Sequence, residues 1–191
     1  GVCSGWQRNV RYCTQCKCEK PERAHHCRVC GRCVLRMDHH CPWINNCVGH
    51  RNYKFFILFL WYTVAIGMYN SLTLFIWAYP MTEEESFRIS PHFPALWANI
   101  FVSGLVGTFQ GCFAFHHCWL VYENVTTIET MPRKRQIVYD LGPRRNFKQI
   151  FGNRLFLWPC PCFAGFQGDG FSFPRPEKDA NGLPTSPTSP C

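Results

Sequence analysis

Residues 13–47 hold eight of the chain's fourteen cysteines and four of its eight histidines. They run as Cys13-x2-Cys16, His25-His26-Cys27-x2-Cys30-x2-Cys33, Asp38-His39-His40-Cys41 and Cys47. A Cys-x2-Cys step lets two thiolates converge on one ion, and a later Cys/His group closes the tetrahedron that zinc adopts. Cys13 and Cys16 start one such site and Cys27 and Cys30 another, with His26, Cys33, His40 and Cys47 available to complete them. Two tetrahedral sites take eight ligands, and the stretch offers more than eight. The surplus is where chemistry can reside.

Cys41 stands out among the surplus. It follows His39 and His40, with Asp38 three residues before it, just ahead of a long apolar run. A thiolate is a nucleophile, an adjacent imidazole can take the thiol's proton, and a carboxylate can orient that imidazole. If His40 binds zinc, His39 is the base that remains. Spacing alone leaves two readings of Cys41, a further metal ligand or a free nucleophile.

The surrounding elements must hold this stretch in place. Residues 13–52 lack helical or alternating periodicity, and so short a segment cannot bury a core unaided, which predicts metal-held hairpins and loops. Nine cysteines in the first 47 residues at metal-like spacing favour zinc in a reducing compartment over disulfides. The net charge of +8 is open to nucleic acid, anionic lipid or a phosphorylated ligand. Upstream, Trp6, Arg8 and Arg11 are suited to a membrane surface. The chain starts at Gly1 with no signal-like stretch, so it is expected to be part of a longer protein.

Phe55–Tyr79 is twenty-five residues without a charged side chain, and Phe93–Tyr122 is thirty, interrupted only by polar groups such as Asn99, Gln110, His116 and His117. Each exceeds the roughly 20 apolar residues that cross a bilayer as a helix. Trp61, Tyr62, Trp77, Tyr79, Trp97, Trp119 and Tyr122 mostly lie near the ends, as an interfacial belt would. Of the twenty Lys and Arg, ten fall in residues 1–54, nine in 133–178, and only Arg88 between the runs, beside Glu83, Glu84 and Glu85. By the positive-inside rule both flanks are cytosolic. Ser103, Gly107 and Gly111 form a small-residue stripe for close helix packing. His116 and His117 read as polar interface residues rather than ligands. Further on come Thr126-Thr127-Ile128-Glu129, the basic Arg133–Arg135, Asn146 to Gly152, and an apolar run, Leu155–Phe163, with Cys160 and Cys162. From Pro174 the composition predicts disorder.

Asp38-His39-His40-Cys41, followed by Pro42-Trp43 and Asn45-Asn46-Cys47, closely resembles the DHHC family of protein S-acyltransferases, or palmitoyltransferases. The resemblance runs from about Tyr12 to Phe173. It takes in Thr126-Thr127-Ile128-Glu129, which looks like the family's Thr-Thr-x-Glu motif, and Asn146 to Gly152, similar to its C-terminal Asn and Phe-Gly element. The pair of spans that such enzymes carry before the Cys-rich region is not in this sequence.

The resemblance implies an α-helical integral membrane protein with a cytosolic, zinc-bound, Cys-rich domain of short β-hairpins and loops. Its expected parts are the Cys-rich domain over 1–52, transmembrane helices over 53–79 and 95–122, a lumenal or extracellular loop over 80–94, a cytosolic C-terminal domain over 123–173, and a disordered tail over 174–191. It implies two structural zinc ions, one on Cys13, Cys16, His26 and Cys33 and one on Cys27, Cys30, His40 and Cys47. Cys41 is then the nucleophile, His39 its base and Asp38 the group that orients His39.

The implied reaction is ping-pong: a fatty acyl group, palmitoyl above all, passes from acyl-CoA to Cys41 and on to cysteines of substrate proteins. Lys20, Arg23 and His25 are candidates to meet the CoA phosphates, against a merely solvated basic face. Trp43 is expected to cover the thioester, while Thr126, Thr127, Glu129 and Asn146 brace the site. From Tyr53 to Ile66 is 13 residues, roughly 20 Å of helix, so Ile66 either closes the acyl pocket or faces lipid. The implied partners are the membrane, fatty acyl-CoA and cysteine-containing proteins, with no nucleic acid. The implied setting is an endomembrane (Golgi or ER) or the plasma membrane, with the active site facing the cytosol. Acylation of Cys160, Cys162 or Cys191 stays open. The alternative is a membrane-anchored zinc adaptor of RING-like type, which has no need of the Asp-His-His-Cys set.

Overall fold

The computed structural model describes residues 11–131, 139–163 and 168–176. Trp6, Arg8, Arg133–Arg135, Cys191 and most of the tail predicted to be disordered lie outside the described residues. The chain forms two compact units, Gly1–Phe56 with Cys118–Cys191, and Ile57–His117.

The first unit opens with three antiparallel hairpins. They pair β1 (Arg11–Cys13) with β2 (Cys18–Lys20), β3 (His25–Cys27) with β4 (Arg32–Val34), and β5 (His39–Cys41) with β6 (Asn46–Val48). Strands of three residues are too short to stand alone. What repeats is the register. Cys13, Cys27 and Cys41 each close the first strand of a hairpin, fourteen residues apart. Lys17, Gly31 and Asn45, again fourteen apart, each take the left-handed conformation, with φ of 52°, 62° and 46°. His26 lies directly opposite Cys33, and His40 directly opposite Cys47. One buried apolar cluster joins Cys27, Met37 and Cys47, with Val34 and Ile128 against it.

Two long helices follow, α1 (Tyr53–Met81) and α3 (His92–Tyr122), with the four-residue α2 (Glu85–Arg88) between them. By length and composition both long helices can cross a membrane: 29 and 31 residues, mean hydropathy 1.5 and 1.4. α1 runs two residues past its expected end because Pro80, at the penultimate position, costs at most a single helical bond. α3 starts three residues before 95.

Within the second unit, a Cβ added to Gly67 would come 3.2 Å from the Ser103 carbonyl oxygen, and one added to Gly107 would come 3.2 Å from Met68 Sδ. Ser103 and Gly107 therefore lie where the helices approach closely. Gly111 does not, since its added Cβ would meet nothing within 4 Å. Ser71 Oγ donates to the Ile100 carbonyl (3.0 Å) and Asn70 Nδ2 to Asn99 Oδ1 (3.0 Å).

The C-terminal part of the first unit carries α4 (Pro143–Phe151), which Gly152 ends in the left-handed region at φ 87°. Trp158 Nε1 donates to the Gly152 carbonyl (2.9 Å), and its ring packs on Phe151, centroids 5.4 Å apart. Thus the Phe-Gly pair anchors the chain as it leaves α4.

Candidate active site

The hairpins gather eight of the predicted ligands into two groups. Ligand atoms of Cys13, Cys16, His26 and Cys33 lie within 4.8 Å of one another, as do those of Cys27, Cys30, His40 and Cys47. In the first group Nδ1 of His26 is 3.6 Å from Cys13 Sγ and 3.2 Å from Cys16 Sγ, and Cys16 and Cys33 are 3.7 Å apart at sulfur. In the second, His40 Nδ1 is 3.6, 3.4 and 3.7 Å from the sulfurs of Cys27, Cys30 and Cys47, with Cys30 and Cys47 3.5 Å apart.

A tetrahedron with metal–sulfur bonds of about 2.3 Å and metal–nitrogen bonds of about 2.0–2.1 Å has edges of about 3.8 Å between sulfurs and 3.6 Å between sulfur and nitrogen. Both groups fit a metal ion. Burial, and then the neighbouring thiols, hold Cys33 and Cys47 well above the ordinary thiol range. The backbone amide of Cys16 pulls Cys13 below it. A cation at the centre relieves the crowding of thiols in each group.

Each site takes its Cys-x2-Cys pair from the turn of one hairpin and its cross-strand His/Cys pair from the next. The third hairpin breaks the pattern. Cys41 stands where Cys13 and Cys27 stand, but the position of Cys16 and Cys30 is filled by Ile44. No fourth hairpin follows, because α1 begins at Tyr53. Cys41 is buried and belongs to neither group.

Side chains alternate along a strand, so His39 and Cys41 share one face of β5 while His40 turns to the other. Asp38, fully buried, meets His39 Nδ1 at 2.7 Å through Oδ2. Its carboxylate also accepts the Thr127 backbone N–H at Oδ1 (2.9 Å) and the Thr127 hydroxyl at Oδ2 (2.9 Å). Asp38 thus fixes the ring through Nδ1, the arrangement in which an imidazole can pass a proton at its other nitrogen. The His39 ring sits edge-on to Phe56, centroids 5.1 Å apart.

The loop after α3 is fixed in turn. Glu129 accepts the Thr126 backbone N–H (2.9 Å) and a two-pronged pair of bonds from Arg23, Nε to Oε1 at 2.9 Å and Nη2 to Oε2 at 2.7 Å. Burial pushes the Glu129 carboxyl up, but the Arg23 bonds and charge and the Thr126 amide outweigh it and hold it below its usual range. Arg23 is therefore not a surface cation for CoA phosphates. It is buried, and its guanidinium is taken up by Glu129 and by Asn124, through the Asn124 side chain (3.0 Å) and carbonyl (2.8 Å).

Sequence reasoning missed Asn124, the hub of this frame. In the left-handed conformation at φ 50°, it donates to the Tyr139 carbonyl (2.8 Å) and to Gln149 (3.1 Å) while accepting from Arg23 and Arg36. Asparagine directly after a helix is the available signal, since it tolerates that conformation. Asn146 completes the frame, donating to the Tyr122 carbonyl (2.6 Å) and to Asp140 (2.7 Å).

Four predicted residues lie outside the frame. Lys20 and His25 are half-buried on β2 and β3, Trp43 is 91% exposed on a one-turn helix, Pro42–Ile44, and Ile66 is 68% exposed on α1. Lys54 was not anticipated; it is buried, and its Nζ donates to the carbonyls of Leu157 (3.0 Å) and Cys162 (3.3 Å).

The sequence profile described as DHHC palmitoyltransferase matches residues 7–134. The chain belongs to the DHHC palmitoyltransferase family. It is similar to palmitoyltransferase ZDHHC15 of Xenopus laevis, 42% identical over 86% of this chain and 50% of that protein. It is also similar to palmitoyltransferase ZDHHC2 of Rattus norvegicus (39%, over 95% of this chain and 50% of that protein) and to human ZDHHC15 (40%, over 86% and 50%). The chain spans about half the length of these relatives. As a DHHC family member it carries the four motif residues on β5 and the residue before it, and the Thr-Thr-x-Glu loop grips the first of them.

Proposed function

We propose that this chain is the catalytic part of a protein S-acyltransferase that carries a long-chain acyl group, palmitoyl above all, from acyl-CoA to protein cysteines. The observation that carries the reading is the 2.7 Å Asp38–His39 contact, on a strand that also presents Cys41. His39 Nε2 takes the Cys41 proton, and the thiolate attacks the acyl carbon of acyl-CoA. The carbon–sulfur bond to CoA breaks, and the CoA thiolate leaves with the proton from His39. A substrate cysteine, deprotonated in the same way, then attacks the Cys41 thioester and takes the acyl group. Both steps exchange one thioester for another, so positioning and thiol activation are what the protein supplies.

In this reading the two Cys/His groups hold structural zinc, which fastens the hairpins and has no open position for substrate. α1 and α3 span the membrane, with the hairpins and residues 123–173 in the cytosol. About a dozen residues separate Cys41 from α1, so the acyl chain can enter the bilayer while CoA stays in water. Lys20 and His25 are retained for the CoA phosphates, Trp43 for the thioester and Ile66 for the far end of the chain. Endomembranes or the plasma membrane, and cysteine-bearing proteins at their surface, are the setting. Incubating the full-length protein with a clickable palmitoyl-CoA tests the proposal: a hydroxylamine-labile adduct in the parent and none in Cys41→Ser supports it. An adduct that survives Cys41→Ser refutes it.

A further inference from the structure

A cavity lies in the first unit, built by the chain after β4, the chain after β6, α4 and residues 168–174. Its volume is about 460 Å³, within the range of small-molecule sites. Arg36, His50, Arg145 and Lys148 line it, with Gln149 and Phe173, and among the described lining residues none is acidic.

Arg36 is the informative member. It is only 2% exposed, yet its Nε and Nη1 have no hydrogen-bond partner among the described residues, while Nη2 is spent on Asn124. Its backbone sits in the left-handed region at φ 41°, which is uncommon for an arginine. Burial, and then the nearby Arg23 guanidinium, pull it down to about 10. Gln149 also lines the cavity, and its Nε2 is buried without a hydrogen-bond partner among the described residues. Donors left unsatisfied in a buried, cationic pocket cost stability unless an acceptor reaches them.

We propose that this cavity binds a phosphorylated small molecule or headgroup, with Arg36 and Gln149 as its buried donors and Arg145 and Lys148 as cations at the α4 wall. Phosphate oxygens supply the acceptors that Arg36 and Gln149 lack, and a guanidinium can meet two of them at once. The cavity is larger than one phosphate needs, and its several cations favour a ligand with more than one. Free polyphosphates and phosphoinositide headgroups share this chemistry. The proposal does not depend on acyl transfer.

The test uses the full-length protein, titrated by calorimetry with inositol hexakisphosphate and, in parallel, with vesicles of phosphatidylcholine with or without phosphatidylinositol bisphosphate. Saturable binding is expected, weakened roughly tenfold or more in Arg145→Ala/Lys148→Ala and in Ser172→Glu, which places a carboxylate on the exposed lining residue Ser172. Metal content and autoacylation in both variants should match the parent. Binding of the free polyphosphate assigns a soluble ligand, and binding only to the bisphosphate vesicles assigns a lipid headgroup; either supports the proposal. No saturable binding to either probe, or binding that both variants retain, overturns it. Competition by free CoA also overturns it, by assigning the cavity to the acyl donor.

Discussion

At the scale of single residues, Asp38 carries the greatest weight, because one carboxylate is shared by His39 and Thr127. Thr127→Ala removes the hydroxyl bond and leaves the amide, and a hydrogen bond to a charged group contributes about 1.5–3 kcal/mol. If His39 works through that carboxylate, autoacylation should fall roughly ten- to a hundredfold, with metal content unchanged; single-turnover kinetics check it. Cys41→Ser should abolish the adduct and release no zinc, as metal analysis of the purified variant will show.

Glu129 offers a test by pH. Its carboxyl holds a proton less tightly in the folded chain than in the unfolded one, so the Arg23 pair stabilises above the ordinary glutamate value of about 4.3 and is lost as pH falls through the lower folded value. Glu129→Gln leaves a buried guanidinium unpaired and should cost about 3–5 kcal/mol near neutral pH. Thermal melts of parent and variant should therefore converge as pH falls below the ordinary glutamate value and through the lower folded one.

At the scale of elements, the middle hairpin serves both Cys/His groups, its cross-strand pair giving His26 and Cys33 to one and its Cys-x2-Cys step giving Cys27 and Cys30 to the other. Cys30→Ala should thus unfold more than its own site, and a graded chelator should remove both ions in one transition rather than two, read by metal release against circular dichroism. The two Cys/His groups were foreshadowed in the sequence because Cys-x2-Cys spacing is local. Spacing alone could not divide them, since that depends on which strand positions face each other, and register is not printed in composition.

The two apolar runs were equally legible, as bilayer length is a matter of counting. Arg23 was misread because the group that buries it is 106 residues away. Arg36 and Asn124 went unnoticed for the same reason: their roles come from residues that only the folded chain brings near.

At the scale of the whole molecule, the candidate site joins early and late parts of the chain. Thr127 lies 89 residues beyond Asp38, and Lys54 waits for carbonyls 103 and 108 residues further on. The metal groups, by contrast, close within 20 residues, from Cys13 to Cys33 and from Cys27 to Cys47. Synthesis therefore delivers Cys41 long before the residues that hold Asp38. Until α3 has been made and the loop behind it returns, Asp38 lacks its two bonds from Thr127. Under the proposed function, a half-made chain carries the Cys41 thiol in a site that is not yet assembled, and completion of the polypeptide is the arming step. Chains arrested after Tyr122 should accordingly take up metal yet form no thioester, whereas chains that extend through Pro174 should form it.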